Sequence, residues 1–385
     1  MFDDVQSAIA YIEAKRTKRT FCDFKEILKK YQLPVDLKKV IHVAGTNGKG
    51  STTIFMRDLL MKQGFNVGTF TSPYVISHHE RIAVNGKPIS DEDLLKIINQ
   101  LYDMIEEQHL SMFEIDVCIM LVYFSKLQLD YHIIECGIGG LLDKTNVLDG
   151  DVAVITNIGK DHQFMLGQTL MEIAKHKAGI IKHDKVLFTT EKKPEILHYF
   201  QQVCKEKNSQ FFHVKTIENP VYPYRFELQG QTLQMNLPGY QLTNFMLAHQ
   251  VVNYLEKTDP HCLQSVIDDF FWPCRFEKIG QFYLDGAHNV DGIRALLETI
   301  SHQQMQDVGF VISILSDKDQ KGMLDLLQGH DWLQSSFDDE RSEGDFLPFD
   351  QALKMMAQKH RHVVVTGSLH FVSSVRQYLM TKGND

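Results

Sequence analysis

One turn, at residues 43–52, constrains this chain more than any other segment, because it places three glycines between an apolar strand and a helix. The apolar run at residues 40–43 predicts the buried strand, and residues 51–62 predict the helix. Glycines let backbone N–H groups face an anion, and a helix N-terminus adds positive potential. Lys49 is placed to neutralise the terminal phosphates of a bound nucleotide.

The turn departs from the strict phosphate-loop motif GxxxxGK[ST]. Val43 stands at the first glycine position, and Gly50 stands at the serine or threonine position. The alternative is an ordinary glycine-rich turn with an exposed lysine, but the strand–turn–helix context favours a phosphate-binding loop. The predicted nucleotide-binding residues of the loop are Gly45, Thr46, Asn47, Gly48, Lys49, Gly50 and Ser51.

The composition of the 385-residue chain is typical of a folded globular protein, with 43% hydrophobic and 23% charged residues. Its net charge of −9 argues against a nucleic-acid partner, because phosphate backbones select basic surfaces. The six cysteines include no pair with CxxC spacing, which argues against a zinc site or a redox motif. The sequence contains neither a secretory signal nor a membrane-spanning apolar run. We therefore expect a cytoplasmic enzyme that binds neither nucleic acid nor membrane.

Short apolar runs alternate with amphipathic runs along most of the chain, which predicts an α/β fold with helices on both faces of a parallel sheet. A chain of this length exceeds one ordinary hydrophobic core. Residues 224–236 interrupt the rhythm and predict a hairpin around Gly230, and the α/β pattern restarts after Pro273. We predict an N-terminal P-loop ATPase domain at residues 1–272 and a smaller, Rossmann-like α/β domain at residues 273–385.

Further motifs follow the loop along the chain. They lie at residues 71–74, 80–86, 135–140 (with Asp143, Thr145 and Asn146), 156–162, 166–167, 174–180, 275–277, 285–289, 317–319 and 366–369. Together with the loop, these motifs resemble the Mur-ligase superfamily, and specifically its folylpolyglutamate synthase/dihydrofolate synthase branch. Several separated motifs in one order are far more specific than any single motif, and these cover nearly the whole chain.

The resemblance implies an ATP-dependent ligase that adds L-glutamate to a folate carboxylate through an acyl phosphate, releasing ADP and phosphate. It implies ATP and one or two Mg²⁺ ions as cofactors, with Ser72, Glu135 and His162 as metal ligands. From the residues alone, Glu135 fits a metal site because it ends an apolar strand. His162 is equally well explained as a hydrogen-bonded core histidine. The further nucleotide contacts that the resemblance implies are Asn244, Arg275 and Asp285.

The resemblance also implies catalytic and substrate-binding residues. The catalytic ones are Lys49, Lys177 and His288. The family lysine that matches Lys177 is carbamylated by CO₂, whereas from the residues alone Lys177 is a surface or ion-paired lysine of an amphipathic helix. Asn289 is equally well explained as a helix cap. Phe113 and Glu114 are implied to hold the pterin end of the substrate, although Phe113 also fits the start of a buried helix.

The chain departs from the family pattern at four positions. Tyr74 stands where histidine is common, His176 where glutamate is common, and Asp116 with Val117 where threonine is common. These changes bear on the pterin subsite and the substrate range more than on the ATP site. Within this branch, a dihydrofolate synthase, which adds glutamate to dihydropteroate, and a bifunctional enzyme are alternatives.

Other classes of function are less well supported. The folate-branch form of the loop disfavours a Mur-type peptide ligase. Residues 157–161 superficially resemble a guanine-specificity motif of P-loop switch proteins, but the lysine is displaced by one position. A non-catalytic binding protein is disfavoured because Lys49, Glu135, His162 and Asp285 are intact. We expect a monomer whose partners are a folate or dihydropteroate and L-glutamate.

Overall fold

The structure, a computed structural model, describes residues 1–217, 220–342 and 344–382. Its strands are β1 (Val40–Ala44), β2 (Val67–Phe70), β3 (Ile82–Val84), β4 (Lys87–Pro88), β5 (Tyr131–Glu135), β6 (Val152–Ile155), β7 (Val186–Thr189), β8 (Gln210–His213), β9 (Tyr224–Leu228), β10 (Gln231–Met235), β11 (Arg275–Ile279), β12 (Phe282–Asp285), β13 (Val308–Ile312), β14 (Asp331–Ser336), β15 (Leu347–Pro348) and β16 (His362–Thr366). Its helices are α1 (Val5–Ala14), α2 (Phe21–Lys30), α3 (Lys49–Lys62), α4 (Asp91–Gln108), α5 (Met112–Ser125), α6 (Gln163–Leu166), α7 (Leu170–Lys177), α8 (Pro194–Glu206), α9 (Gly239–Glu256), α10 (Leu263–Asp268), α11 (Val290–His302), α12 (Gln320–Leu326), α13 (Phe349–Lys359) and α14 (Leu369–Lys382).

Local capping explains where several helices begin. The Ser90 side chain accepts a hydrogen bond from the Asp93 N–H at the start of α4, and acidic residues in the first turn face the positive helix end. Ser111 and Glu114 form a reciprocal capping box at the start of α5. Helix α3 begins at Lys49, two residues before the predicted start, because Gly48 already turns the chain into the helix.

The chain divides into two compact units. The first comprises residues 1–158, 166–216 and 244–266. The second comprises residues 159–165, 217–243 and the described residues from 267 onward. The domain limits at residues 272 and 273 stay a prediction.

The first unit is built on an eight-stranded sheet with the order β4-β3-β2-β5-β1-β6-β7-β8. The strands from β2 to β8 in that order are parallel, and β3 and β4 pair antiparallel at one edge. Every residue of β1, β2, β5, β6 and β7 is buried. Because successive side chains of a strand point to opposite faces, both faces of this sheet are covered, as predicted.

The second unit contains a six-stranded sheet with the order β11-β12-β16-β13-β14-β15, which is parallel except for the antiparallel edge strand β11. Its apolar core includes Ile293, Phe310 and Val364. The predicted hairpin is confirmed, because β9 and β10 pair antiparallel on either side of Gly230. The sequence analysis missed β14, because its two apolar residues, Trp332 and Leu333, are too few to form an apolar run. Within the described residues, no helix is both long and apolar enough to cross a bilayer.

The burial of α5 can be tested by replacing one of its buried leucines and, as a control, an exposed leucine that follows the helix. Leu121 of α5 is completely buried, whereas Leu127, just beyond the helix, is 38% exposed. Leu121→Ala leaves a cavity in the first unit and is expected to lower the free energy of unfolding by about 2–5 kcal/mol. Leu127→Ala removes the same atoms near solvent and should cost less than about 1 kcal/mol. Urea unfolding followed by circular dichroism measures both, and equal losses would contradict the buried position of α5.

Candidate active site

The glycine loop is held in shape by the segment that follows β6. The Thr46 N–H donates to the Asn157 carbonyl oxygen at 2.9 Å, and the Thr156 hydroxyl donates to the Asn47 carbonyl oxygen at 2.6 Å. Gly45 has φ +151°, and a Cβ added there would lie 1.8 Å from Thr156 Oγ1. The close approach of these two segments therefore requires glycine at position 45.

Gly48 opens α3 in the left-handed conformation, with φ +86°. As the N-cap residue, glycine has no side chain that could cap α3. The N-terminus of a helix suits a bound anion. A Cβ at Gly48 would lie 2.4 Å from Asn244 Oδ1, so α9 brings the predicted nucleotide contact Asn244 directly against the loop.

Lys49, Glu135 and Ser72 converge beside the loop. Glu135 Oε1 lies 3.8 Å from the Lys49 ammonium nitrogen, and Glu135 Oε2 accepts the Ser72 N–H at 3.3 Å. Strands β1, β5 and β2 run parallel, and the carboxyl ends of parallel strands meet at one edge of a sheet. This topology brings together residues that are 63 positions apart in the sequence.

Lys177 is buried, with 4% of its surface exposed, and its ammonium group donates to the Gly45 carbonyl oxygen at 2.7 Å. It occupies the last position of α7, whose start is fixed by a capping box between Thr169 and Glu172. Lys177 therefore belongs to the surroundings of the glycine loop and is not a solvated surface lysine.

The two predicted pterin contacts occupy different environments. Phe113 is the second residue of α5 and half-buried, with its ring centroid 5.8 Å from that of Phe70. Glu114 is completely buried, and its Oε1 lies 3.0 Å from the Lys144 ammonium and 3.5 Å from Arg19 Nε. The interpretation that Phe113 begins a buried helix is confirmed, and Glu114 already has two cationic partners.

Asp285 and Arg275 are neighbours in the second unit, at the paired ends of β12 and β11. Asp285 is buried and accepts hydrogen bonds from the Tyr240 hydroxyl at 2.6 Å and from the Ala287 N–H at 3.0 Å. Burial raises the pKa of Asp285, against the opposing influences of Tyr240 and the Arg275 charge. A carboxylate at the carboxyl end of a parallel strand is a common place for nucleotide contacts.

Asp161 links several predicted residues of the second unit, although the sequence analysis did not single it out. Its Oδ1 accepts a hydrogen bond from the Lys318 ammonium at 2.6 Å, and its Oδ2 lies 3.1 Å from His288 Nε2 and 3.8 Å from His162 Nε2. Burial opposes its ionisation, but the hydrogen bond to His288 and the charges of His162 and Lys318 hold the pKa of Asp161 well below its usual range. The only sequence signal was its place beside His162 in one of the motifs.

Asn289 caps α11, because its side chain accepts the Gly292 N–H at 2.8 Å. The cap interpretation is therefore confirmed. Among residues 1–217, 220–342 and 344–382, no three His, Cys, Asp or Glu side chains form a group that could hold a metal ion. Glu135 and Ser72 nevertheless fit Mg²⁺ in the chemistry of their donors, since this ion prefers oxygen ligands and is commonly bound by one or two carboxylates together with substrate phosphates.

Comparisons with known proteins identify the family of this chain. Residues 43–252 match the family model of the Mur ligase middle domain. The chain is 32% identical to the dihydrofolate synthase/folylpolyglutamate synthase of Bacillus subtilis, over 98% of this chain and 100% of that protein. This chain belongs to the folylpolyglutamate synthase/dihydrofolate synthase family. The predicted family is therefore confirmed.

Solved structures of this family share the fold. One, described as a folylpolyglutamate synthase (FPGS)–AMPPCP–folate complex, matches with a TM-score of 0.86 at 28% identity, over 98% of this chain and 100% of that one. Another is a bifunctional folylpolyglutamate synthase/dihydrofolate synthase with Mn, AMPPNP and L-glutamate bound, with a TM-score of 0.86 at 26% identity over 98% of both chains. The predicted α/β fold class is confirmed.

The contact between Gly48 and Asn244 gives a prediction with a control on the same helix. Gly48 precedes α3 with φ +86°, and Gly64 follows it with φ +89°, but nothing lies within 4 Å of a Cβ added at Gly64. Alanine in a left-handed conformation is expected to cost about 1–2 kcal/mol of stability at either position. Only Gly48→Ala should also displace Asn244 and weaken nucleotide binding about tenfold or more, which is about 1.4 kcal/mol.

Isothermal titration calorimetry with AMPPNP and Mg²⁺ measures this difference. Similar affinities of Gly48→Ala and Gly64→Ala for the nucleotide would show that the contact has no role in binding.

Proposed function

We propose that this family member is an ATP-dependent ligase that adds L-glutamate to the carboxylate of a folate. The observation that carries the proposal is the convergence of Lys49, Glu135, Ser72 and Lys177 on a helix start that is shaped by glycines. Addition of the first glutamate to dihydropteroate is proposed as a second activity, because the Bacillus subtilis relative carries both names and aligns over its full length. We further propose that the chain works as a cytoplasmic monomer.

The chemistry follows from the poor reactivity of a carboxylate toward an amine. A carboxylate oxygen of the folate attacks the γ-phosphorus of ATP, and the bond to the bridging oxygen breaks, so ADP leaves and an acyl phosphate forms. The amino group of glutamate then attacks the acyl carbon and loses a proton. Inorganic phosphate departs with the original carboxylate oxygen. For such phosphoryl transfer the protein mainly positions the reactants and neutralises charge.

The first unit supplies the groups that hold the triphosphate in this proposal. The loop N–H groups and Lys49 bind phosphate oxygens, and Asn244 stands against the loop to contact the nucleotide. Ser72 and Glu135 are the proposed ligands of Mg²⁺ from this unit, and by family resemblance His162 is a further proposed ligand. When bound, this ion neutralises charge on the transferring phosphoryl group. By family resemblance, Arg275 and Asp285 are also proposed nucleotide contacts, and His288 a catalytic residue.

Substrate recognition in this proposal involves the start of α5. Phe113 is half-buried and offers an aromatic ring for a flat pterin. Glu114 contributes to the same proposed subsite by its ion pairs with Lys144 and Arg19. Because the chain departs from the family pattern at Tyr74 and Asp116, we expect its preferred folate to differ from that of relatives with the common residues.

Lys177 is a proposed site of carbamylation. Its neutral amine would form a bond from Nζ to the carbon of CO₂ and release a proton, which gives an anionic carbamate beside the loop. The support is its burial and its 2.7 Å contact with the Gly45 carbonyl oxygen, together with the family resemblance. The anionic product suits a second Mg²⁺ ion, whereas an ammonium group would repel it.

Carbon-13 NMR with labelled bicarbonate tests this modification. We expect a carbamate signal in the wild-type chain and in Lys175→Ala, which removes an exposed lysine from the same helix. The signal should be absent from Lys177→Ala. A spectrum that is identical in all three proteins, or that shows no carbamate at all, would contradict the proposal.

An ADP-release assay tests the ligase function itself. Release should require both glutamate and a pteroyl acceptor, and tetrahydrofolate and dihydropteroate are supplied separately to distinguish the two activities. Lys49→Ala is expected to lower the rate by roughly 100-fold or more, because charge on the transferring group loses its main side-chain partner. Lys62→Ala, an exposed lysine at the other end of α3, should retain the wild-type rate. Equal ADP release without any acceptor would indicate a nucleotide hydrolase or switch protein instead.

A further inference from the structure

The connection between β2 and β3, residues 71–81, is a compact loop that is closed at its base. The Thr71 N–H donates to the Arg81 carbonyl oxygen at 2.9 Å. Inside the loop, Glu80 Oε2 accepts the N–H groups of Val75 and Ile76, each at 3.1 Å. Ser72, at the start of this β2–β3 loop, is the residue whose N–H reaches Glu135.

His78 attaches this loop to two helices. Its side chain is 4% exposed, with Nδ1 3.1 Å from Glu13 Oε1 on α1 and Nε2 2.8 Å from Asp116 Oδ1 on α5. An ionised carboxylate can only accept hydrogen bonds, so two such partners require a donor on each ring nitrogen. The geometry therefore indicates a doubly protonated, positively charged His78.

The same network contains two of the positions at which the chain departs from the family pattern. The Tyr74 hydroxyl donates to Glu13 Oε1 at 2.7 Å, and Arg81 Nε lies 3.5 Å from Asp116 Oδ2. Asp116 is 1% exposed, between the buried Ile115 and Val117 of α5, where an unpaired carboxylate would be costly. Tyr74 and Asp116 are thus parts of one polar cluster that includes His78.

We propose that protonated His78 is a positioning residue: by bridging Glu13 and Asp116 it fixes the β2–β3 loop on α1 and α5 and keeps Ser72 at Glu135. The inference deepens the proposed function, because Ser72 and Glu135 are the proposed metal ligands of the first unit. In this proposal, His78 acts on Ser72 only through the backbone of the β2–β3 loop. Groups that support a metal site in this way are commonly worth 10–100-fold in affinity or activity.

The charge state of His78 gives the proposal a pH dependence. Burial opposes protonation, but the hydrogen bond and charge of Asp116, with help from Glu13, outweigh the repulsion from Arg81 and raise the pKa of His78 above 6.5. Tyr74, which also faces the ring, is neutral because burial and Glu13 raise its pKa to about 12. A raised folded-state pKa means that the stabilisation is fully present below pH 6.5 and is lost as the pH rises through the folded value.

Two measurements that do not need turnover test the proposal. Histidine-labelled NMR of the full chain should show a doubly protonated ring at pH 7, assigned by its loss in His78→Gln. Binding of Mn²⁺ in the presence of ADP, followed by electron paramagnetic resonance, should weaken about tenfold or more in His78→Gln, because glutamine cannot donate to both carboxylates. His79→Gln is the matched control, since the neighbouring His79 pairs with the exposed Asp91.

Asp116→Asn keeps the size of the side chain and an acceptor for His78 while it removes the charge. We expect His78 to titrate at lower pH in this variant. The same variant tests the proposal if His78→Gln does not fold. A neutral His78 ring at pH 7 in the wild-type chain would overturn the proposal. So would unchanged Mn²⁺ affinity in a folded but less stable His78→Gln, which would indicate a purely structural role. Failure of the ligase assay alone would instead refute the proposed function, because neither readout depends on ligase turnover.

Discussion

The backbone conformation of the turn between β1 and α3 is the constraint on which the proposed site depends. Left-handed Gly48 ends the turn and opens the helix, so that the positive end of α3 is directed at whatever lies beyond β1. Neighbouring segments press on both glycines, with Thr156 against Gly45 and Asn244 against Gly48. The loop is therefore shaped by packing, and its N–H groups are organised before any ligand arrives. Under the proposed function, this pre-organisation allows a small number of cations to hold a triphosphate on a chain of net negative charge.

Sequence reasoning succeeded where the cause of a structure is local. The strand, turn and helix around residues 43–62 and the hairpin at Gly230 each depend on neighbours within a few positions. Parallel pairing of buried strands was also predictable, because uninterrupted apolar runs fit only a sheet covered on both faces. The motif at residues 135–140 pointed to Glu135, and the parallel topology then explains why it meets Ser72.

Contacts between distant residues could not be predicted in the same way. Asp161 and Lys318 are 157 residues apart, and nothing in either local pattern indicates their ion pair. The surroundings of Glu114 show the same limit, since a motif match suggested substrate contact while the fold supplies Lys144 and Arg19. Tyr74 and Asp116 were visible only as separate departures from the family pattern. The structure shows that both belong to one polar cluster around His78.

An isotope-transfer experiment decides whether the carboxylate is activated by phosphorylation. The purified chain is supplied with ATP, Mg²⁺, glutamate and a tetrahydrofolate whose reacting carboxylate is labelled with oxygen-18, and the inorganic phosphate is analysed by mass spectrometry. An acyl phosphate formed at the glycine loop predicts that one labelled oxygen moves from the carboxylate to each phosphate released. Unlabelled phosphate accompanying the amide product would contradict this account, because the carboxylate oxygen would then never have been bonded to phosphorus.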